Sequence, residues 1–308
     1  MAAMPPVNAA TAAVPVKIGV LAFMGEESTA DRWMPVANYL NRMMPAYQFS
    51  VVPLTLDNID RAIFGSEVDF LLTNPASYAD LESAYGITRL VTVRNRRTSG
   101  AFTQFGAVIF TRADRHNIHT LEDLRGKTFA AVHANAFGGW WMAWRELKAH
   151  GIDPESDFKR LEFTGFPQDK IVYAVKNGTV VAGTVRTDVL EHMAEQGLIA
   201  LEDFRVLNPQ ITPGFPFLHS TQLYPEWPLA LVNQRLTRMA QQLSVALLSM
   251  PDDAPEALAA RIAGWTVPLD YHGVHDLMRE LRVGPYRIYG METLREMFAL
   301  YWRWVAFG

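Results

Sequence analysis

The feature that most constrains this chain is the regular alternation of short apolar runs with helical patterns through residues 17–207. Residues 17–23 (KIGVLAF) and 68–72 (VDFLL) are short and apolar, which is typical of strands buried in a parallel sheet. Residues 28–44, between them, carry apolar side chains at helical spacing and end at Pro45, which predicts a helix. Strands that alternate with helices in this way predict an α/β fold.

The alternation divides into two units, so we expect two lobes. The first lobe comprises residues 16–111 together with 208–308, and the second comprises residues 112–207. The prolines clustered within residues 209–228 indicate a crossover loop back to the first lobe. We therefore expect the chain to cross between the lobes near Thr111 and Leu207. Helices are predicted at residues 234–249, 254–262, 274–281 and 291–305.

Composition excludes several classes of protein. Lys and Arg number 28 against 32 Asp and Glu, a formal net charge of -4, which argues against nucleic-acid binding because such binding depends on neutralising phosphates. The chain has no cysteine, which rules out disulfides, thiol nucleophiles and cysteine-ligated zinc. No apolar run is long enough to predict a membrane-spanning helix.

Residues 1–15 are mostly small and apolar, and none of them is charged. They lack the basic start and long apolar stretch of an intact signal peptide, although their small residues are similar to a cleavage region. We expect this segment to be either the remnant of a signal peptide or a disordered leader.

The loops that follow the predicted strands are the candidate ligand site, because ligands of parallel sheets bind beyond the carboxyl ends of the strands. Gly138 and Gly139 lie between a strand and a helix. Amides at such a helix start favour anions, and glycine lets a ligand approach the backbone; the alternative is a tight turn without a ligand. Arg186 follows another strand, where it either binds an oxyanion or forms a salt bridge between the lobes.

No established catalytic motif is present, and a metal site is not expected. His272 and His275 are three residues apart without a carboxylate at ligand spacing, which favours a surface or packing role. Asp188 and Glu191 lie at a predicted helix start, where carboxylates stabilise the helix dipole. Arg94, Arg96 and Arg97 lie in a predicted polar loop, residues 94–100, and are interpreted as solvated rather than as an anion clamp.

An ordered set of short segments resembles the PhnD-like family of periplasmic phosphate- and phosphonate-binding proteins over residues 16–235. The segments are VDF leading to NPASY (68–78), LEDLRGK (121–127), GIDPESDF (151–158), FTG (163–165) and AVKNG (174–178). The resemblance implies the type II periplasmic binding fold, in which two α/β lobes enclose a ligand cleft. It also implies a binding protein without catalytic activity or a cofactor.

Three further segments are similar to the extracytoplasmic sensor domains of histidine kinases of the tetrathionate-sensing type. They are FGGW (137–140), GTVRT (183–187) and HSTQLYPEWP (219–228). This resemblance implies a periplasmic sensor that signals by lobe closure, is tethered to the membrane and forms a homodimer through a longer kinase. The aromatic residues Tyr301, Trp302 and Trp304 are similar to an interfacial belt before a membrane span; the alternative is an amphipathic helix packed on the first lobe.

Together with the loop positions, the resemblance implies a small anionic or zwitterionic ligand held by residues from both lobes. These residues are Met24, Asn74, Ser77, Tyr78, Asn135, Phe137, Gly138, Gly139, Arg186, Thr187, Ser220 and Thr221.

Asn135, Ala136 and Phe137 stand where phosphonate binders of the family carry hydroxyl residues, and Val181 stands where they often carry an acid, so a phosphonate is not the expected ligand. A free-standing substrate-binding protein of a phosphonate-type ABC transporter remains the alternative function, since one fold serves both.

Overall fold

The computed structural model describes residues 13–287. The predicted helix at residues 291–305 and its aromatic belt lie outside the described residues, as does most of the predicted leader. The first strand begins at Val14, which is inside the segment predicted as a leader.

The described residues form strands and helices in an order that matches much of the predicted alternation. The strands are β1 (Val14–Leu21), β2 (Tyr47–Leu54), β3 (Phe70–Leu72), β4 (Thr88–Arg97), β5 (Gly100–Phe102), β6 (Gln104–Phe105), β7 (Ala107–Arg112), β8 (Thr128–Ala131), β9 (Arg160–Phe163), β10 (Ala182–Arg186), β11 (Phe204–Leu207), β12 (Tyr224–Pro225), β13 (Pro228–Leu231) and β14 (Ile262–Thr266). The α-helices are α1 (Glu26–Met43), α2 (Ile59–Phe64), α3 (Pro75–Tyr85), α4 (Met142–Ala149), α5 (Pro154–Asp157), α6 (Asp169–Lys176), α7 (Val189–Glu195), α8 (Thr237–Leu248), α9 (Pro255–Ala259) and α10 (His272–Leu281).

The first lobe is built on a sheet with the order β14-β4-β13-β3-β1-β2, with β5 added to β4. β1 pairs in parallel with β2 and β3, as predicted. β13 and β14 pair antiparallel to their neighbours, and both correct the sequence interpretation, which assigned them to a loop and to the end of a helix. β4 also continues to Arg97, so Arg94, Arg96 and Arg97 belong to a strand rather than to the predicted polar loop.

The second lobe is built on a sheet with the order β11-β7-β10-β8-β9. β7 pairs antiparallel with both β10 and β11, which makes it a central strand of this sheet. The chain therefore enters the second lobe between Phe102 and Ala107, several residues before the crossover that we predicted near Thr111.

Both crossovers of the chain meet in a short antiparallel ribbon. β6 and β12 pair with each other, Phe105 opposite Tyr224, and with neither large sheet. The returning crossover lies in residues 221–227, later than the one predicted near Leu207. Because both crossovers pass through this ribbon, we call β6 and β12 the hinge.

Helix α10 of the first lobe contacts the second lobe at its far end. Arg145 on α4 donates two hydrogen bonds to the Glu280 carboxylate, Nε to Oε2 at 2.7 Å and Nη2 to Oε1 at 2.6 Å. Its remaining Nη1 donates to the Tyr224 hydroxyl of the hinge at 2.9 Å. This two-pronged geometry fixes orientation as well as distance. Among residues 13–287, no helix is both long and apolar enough to cross a bilayer.

Asn74 begins α3 as its N-cap, directly after the buried strand β3. Its Oδ1 accepts hydrogen bonds from the amides of Ala76 and Ser77, both at 3.0 Å, and its Nδ2 donates to Ser77 Oγ at 2.8 Å. Pro75 occupies the first helical position, as predicted, where its missing N–H costs no intrahelical bond.

Replacing Asn74 with alanine should lower the free energy of unfolding by about 1–2 kcal/mol, because two helix amides lose their acceptor. Urea unfolding followed by circular dichroism measures the change. Asn38→Ala, on the exposed face of α1, is the matched control and should change the free energy by less than about 0.5 kcal/mol. Equal effects of the two substitutions would show that the cap does not stabilise α3.

Candidate functional site

A cleft between the lobes opens beside the hinge. It encloses about 370 Å³ including its mouth. Its walls come from loops at the carboxyl ends of parallel strands in both lobes, where sites of such sheets form. The lining residues are Leu21, Phe23, Leu56 and Asn74 of the first lobe, Phe105 and Trp227 at the hinge, and Ala136, Phe137, Gly138, Gly139, Phe166, Gln168 and Arg186 of the second lobe.

The loop from the second lobe enters the cleft as the first turn of a helix. Residues Phe137–Trp141 form a π-helical turn, with the Trp141 amide bonded to the Ala136 carbonyl at 2.9 Å, and the turn continues into α4. Since the first amides of a helix have no partner within it, this end presents positive potential to the cleft.

The two glycines of this turn are required by packing. A Cβ atom on Gly138 would lie 2.7 Å from the Phe105 ring, and one on Gly139 would lie 2.5 Å from the Val132 side chain. We expected these glycines to leave room for a ligand beside the backbone. In the structure that room is taken by the hinge ring and by the strand end.

Arg186 is the only charged residue that lines the cleft within the described chain. It ends β10, its side chain is 9% exposed, and it forms an ion pair with Glu226, which is 1% exposed. The guanidinium also lies over the Phe105 ring, 4.2 Å from its centroid. Of our two interpretations of Arg186, the structure shows the salt bridge, which uses Nη2. Its Nε has no partner among the described residues, so binding of an oxyanion there stays a prediction.

A second unpaired donor lines the same cleft. The indole Nε1 of Trp227 is buried and has no hydrogen-bond partner among residues 13–287. Trp227 follows Glu226 directly, and its ring packs edge-on against Phe23 at a centroid distance of 5.1 Å. A buried donor without a partner costs free energy, so a ligand acceptor in the cleft would relieve two such donors at once.

Further charges surround the Arg186–Glu226 pair. Arg97 at the end of β4 forms an ion pair with Asp188, which joins the lobes and has a left-handed backbone with φ of 74°. Arg32 donates to Asn95 Oδ1 at 3.0 Å and to the Ala260 carbonyl at 2.9 Å. Burial, together with the nearby guanidinium groups of Arg97 and Arg186, lowers the pKa of Arg32.

The mouth of the cleft is bridged by a weaker contact. His133 Nε2 of the second lobe lies 3.5 Å from Asp57 Oδ1 of the first lobe. The His133 Nδ1 accepts from the Asn135 amide at 3.1 Å, so a neutral ring with its proton on Nε2 satisfies both contacts.

The structure brings some of the predicted site residues together and separates others. Asn74, Phe137, Gly138, Gly139 and Arg186 line the cleft, and Thr187 lines an adjoining recess. The Asn74 side chain forms its hydrogen bonds within the N-cap of α3.

The remaining predicted residues have structural partners or lie outside the lining. Met24 Sδ accepts from Arg32, Tyr78 is buried with its hydroxyl on Glu82, and Asn135 is exposed. Ser77 bonds Asn74. The hydroxyls of Ser220 and Thr221 bond the amides of Ile109 and Ala107, which attaches the returning chain to β7.

Sequence reasoning missed Phe23, Leu56, Phe105, Phe166, Gln168, Glu226 and Trp227. Glu226 and Trp227 lie between Pro225 and Pro228, and a carboxylate within such an apolar segment was a usable signal, because buried acids are rarely unpaired. Gln168 directly precedes α6, and its Oε1 accepts a hydrogen bond from the Arg186 amide at 2.7 Å. No group of acidic or histidine side chains among the described residues could hold a metal ion.

Comparisons with known proteins decide the family. Residues 18–272 match the family described as "ABC transporter, phosphonate, periplasmic substrate-binding protein". The chain belongs to this family. The predicted resemblance is thereby confirmed, and with it an extracytoplasmic class of solute-binding proteins.

A curated relative is the tetrathionate sensor histidine kinase TtrS of Salmonella typhimurium, 37% identical over 269 residues. The match covers 87% of this chain and 44% of the relative, so the chain spans less than half of that protein's length.

Solved structures confirm the type II periplasmic binding fold. PhnD1 from Prochlorococcus marinus in complex with methylphosphonate superimposes with a TM-score of 0.68 at 14% identity, covering 87% of this chain and 98% of that one. XAC2383 from Xanthomonas citri bound to ATP gives a TM-score of 0.67 at 20% identity, covering 90% and 98%. At these identities the likeness establishes the fold alone.

The close packing of the cleft loop predicts the effect of adding one methyl group. Gly139→Ala should lower the free energy of unfolding by about 1–3 kcal/mol, since Val132 cannot withdraw from the strand end without repacking. Gly273→Ala is the matched control, because a Cβ there would have nothing nearer than 3.7 Å. Denaturant unfolding of both variants is the measurement, and a Gly139→Ala protein as stable as the control would refute the packing argument.

Proposed function

We propose that this chain is the extracytoplasmic sensor domain of a two-component histidine kinase and binds a small anion in its cleft. The proposal rests above all on two buried, unpaired donors of residues that line the cleft, Arg186 Nε and Trp227 Nε1. The start of the helix at Phe137 adds positive potential to the same space. A cleft that offers donors within apolar walls favours an anion with an apolar or easily polarised body.

Tetrathionate is the first ligand to test, because the relative of 37% identity is named as a tetrathionate sensor. An anionic end would accept hydrogen bonds from Arg186 and Trp227. The sulfur atoms between the two anionic ends would lie against Leu21, Phe23, Leu56 and Phe166, which supply apolar surface on both lobes. The second anionic end would lie toward the open mouth of the cleft, where water solvates it.

In this proposal the signal is closure of the lobes about the hinge. A ligand can drive that motion only through contacts that are stronger in the closed state. The unpaired donors belong to the second lobe and the hinge, and Leu21, Phe23 and Leu56 of the first lobe add apolar surface to the same cleft, so a bound anion would contact both lobes in the closed state.

A free-standing binding protein of an ABC transporter is the second candidate, favoured by the description of the family. The gene beyond codon 308 distinguishes the two. A membrane span followed by kinase motifs would support the sensor, and a stop codon would support the transport protein.

Removing one indole donor should weaken the binding of tetrathionate. Trp227→Phe keeps the ring but loses Nε1, and a hydrogen bond to a charged group is worth about 1.5–3 kcal/mol, so affinity should fall about tenfold or more. Isothermal calorimetry is the measurement. Arg186→Lys should also weaken the binding of tetrathionate. Lysine keeps the positive charge opposite Glu226 but lacks the planar set of guanidinium N–H donors.

The matched control is Trp265→Phe. The Trp265 Nε1 is likewise buried without a partner, but the ring packs in the core of the first lobe against Trp33. Its affinity for tetrathionate should equal that of the wild type. If Trp227→Phe and Trp265→Phe behave alike, Trp227 is not a ligand donor.

Ligand should also make the protein more compact. Small-angle X-ray scattering should show a smaller radius of gyration with saturating tetrathionate than without it, because bound ligand favours the closed lobes. Arg186→Lys at the same ligand concentration should respond less. A bound wild-type protein with an unchanged scattering curve would contradict signalling by closure.

A further inference from the structure

The carboxylate of Glu226 is nearly inaccessible and only partly satisfied. Its exposed fraction is 1%, and its Oε2 has no hydrogen-bond partner among the described residues. Its backbone is held firmly at the hinge, with the amide donating to the Thr103 carbonyl at 2.8 Å and the carbonyl accepting from the Tyr271 hydroxyl at 2.5 Å. The main chain of Glu226 is therefore fixed at the hinge, beside Arg186.

The charges around this carboxylate leave a small positive excess. Arg32 interacts with the guanidinium groups of Arg97 and Arg186 and with the carboxylates of Glu226 and Asp188. Arg97 is already paired with Asp188, and Arg32 is bonded to Asn95 and a carbonyl. Among these five groups the excess is one positive charge, and Arg186 is the one of the three arginines that lines the cleft.

The Arg186 guanidinium is kept charged by its neighbours. Burial disfavours its charged form, but the Glu226 and Asp188 carboxylates outweigh burial and raise its pKa. As a consequence, the negative charge of Glu226 lies next to the Arg186 guanidinium that a ligand would bind. In a buried site such charges interact strongly, since the effective dielectric constant is far below that of water.

From this geometry we propose that Glu226 is a built-in counterion which restricts the cleft to a ligand end with a single negative charge. The class favoured is the sulfonate or a related sulfur oxyanion of strong acidity, and the class disfavoured is a doubly charged phosphonate or phosphate. The inference rests on the proposed function and defines its ligand class.

The physical reason is the balance of charge within the buried cluster. One negative charge on the ligand neutralises the excess positive charge of the cluster. A second negative charge would be buried near Glu226 without a cation of its own. Burying an unpaired charge is costly. Asn135, Ala136 and Phe137 supply no hydroxyl that could donate to further oxygen atoms, so hydrogen bonds from this loop's side chains cannot offset the cost.

Two probes of matched shape test the inference on the wild-type protein. Methanesulfonate carries one charge at any ordinary pH, whereas methylphosphonate carries one charge in mild acid and two in mild alkali. Calorimetry in mild acid and in mild alkali measures the affinity for both probes. As methylphosphonate gains its second negative charge, its affinity should fall about tenfold or more relative to that of methanesulfonate. Because the charge of methanesulfonate does not change between these pH values, its affinity reports any change of the protein itself.

The variant Glu226→Gln should reduce the preference for methanesulfonate over doubly charged methylphosphonate about tenfold or more, because the excess positive charge of the cluster rises by one. Glu256→Gln is the matched control, since it removes a carboxylate paired with Arg42 on the outside of the first lobe. Circular dichroism verifies folding of both variants. If Glu226→Gln does not fold, the wild-type comparison alone decides.

The outcomes separate this inference from the proposed function. The inference is supported if the wild type prefers singly charged probes, Glu226→Gln reduces this preference and Glu256→Gln retains it. Equal or tighter binding of doubly charged methylphosphonate, or a preference unchanged in folded Glu226→Gln, overturns it while the anion site stands. Failure of the wild type to bind tetrathionate or either probe would overturn the proposed function as well.

Discussion

The arrangement of this molecule depends on one pair of opposite charges buried where its lobes meet. Arg186 ends a strand of the second lobe, and Glu226 lies on the chain that returns to the first. Removing either partner would leave a buried charge without compensation, which costs about 3–5 kcal/mol in comparable proteins. The pair therefore ties the second lobe to the returning chain beside the hinge, and it leaves Arg186 Nε without a partner among the described residues.

The hinge explains why the cleft has this composition. β6 and β12 belong to neither large sheet, so their side chains are available to both lobes. Phe105 packs against Phe137 of the helix turn and under the Arg186 guanidinium, and Tyr224 packs against Phe137 from the other strand. One aromatic residue of the second lobe thus contacts both strands of the hinge, which couples the cleft loop to the axis of any lobe motion.

The sequence predicted the parallel core of each lobe well and the antiparallel additions poorly. Buried parallel strands such as β3 are continuous apolar runs that can be recognised locally. β13, in contrast, is four residues long and begins at Pro228, and its pairing with β3 and β4 is a contact distant in sequence. The loops after strands located Asn74, Phe137 and Arg186, but no local pattern could reveal that Arg186 meets a carboxylate forty positions later.

Helix α10 of the first lobe is attached to the hinge at one end and to the second lobe at the other. Tyr271, immediately before it, donates to the Glu226 carbonyl at the hinge, and Glu280, near its end, is bonded by Arg145 and by Lys148, whose Nζ lies 2.8 Å from the Glu280 carbonyl oxygen. A rotation of the second lobe would therefore either break the Arg145–Glu280 pair or shift the C-terminal end of α10 with it. In this way α10 would couple the position of the second lobe to the last described helix of the first.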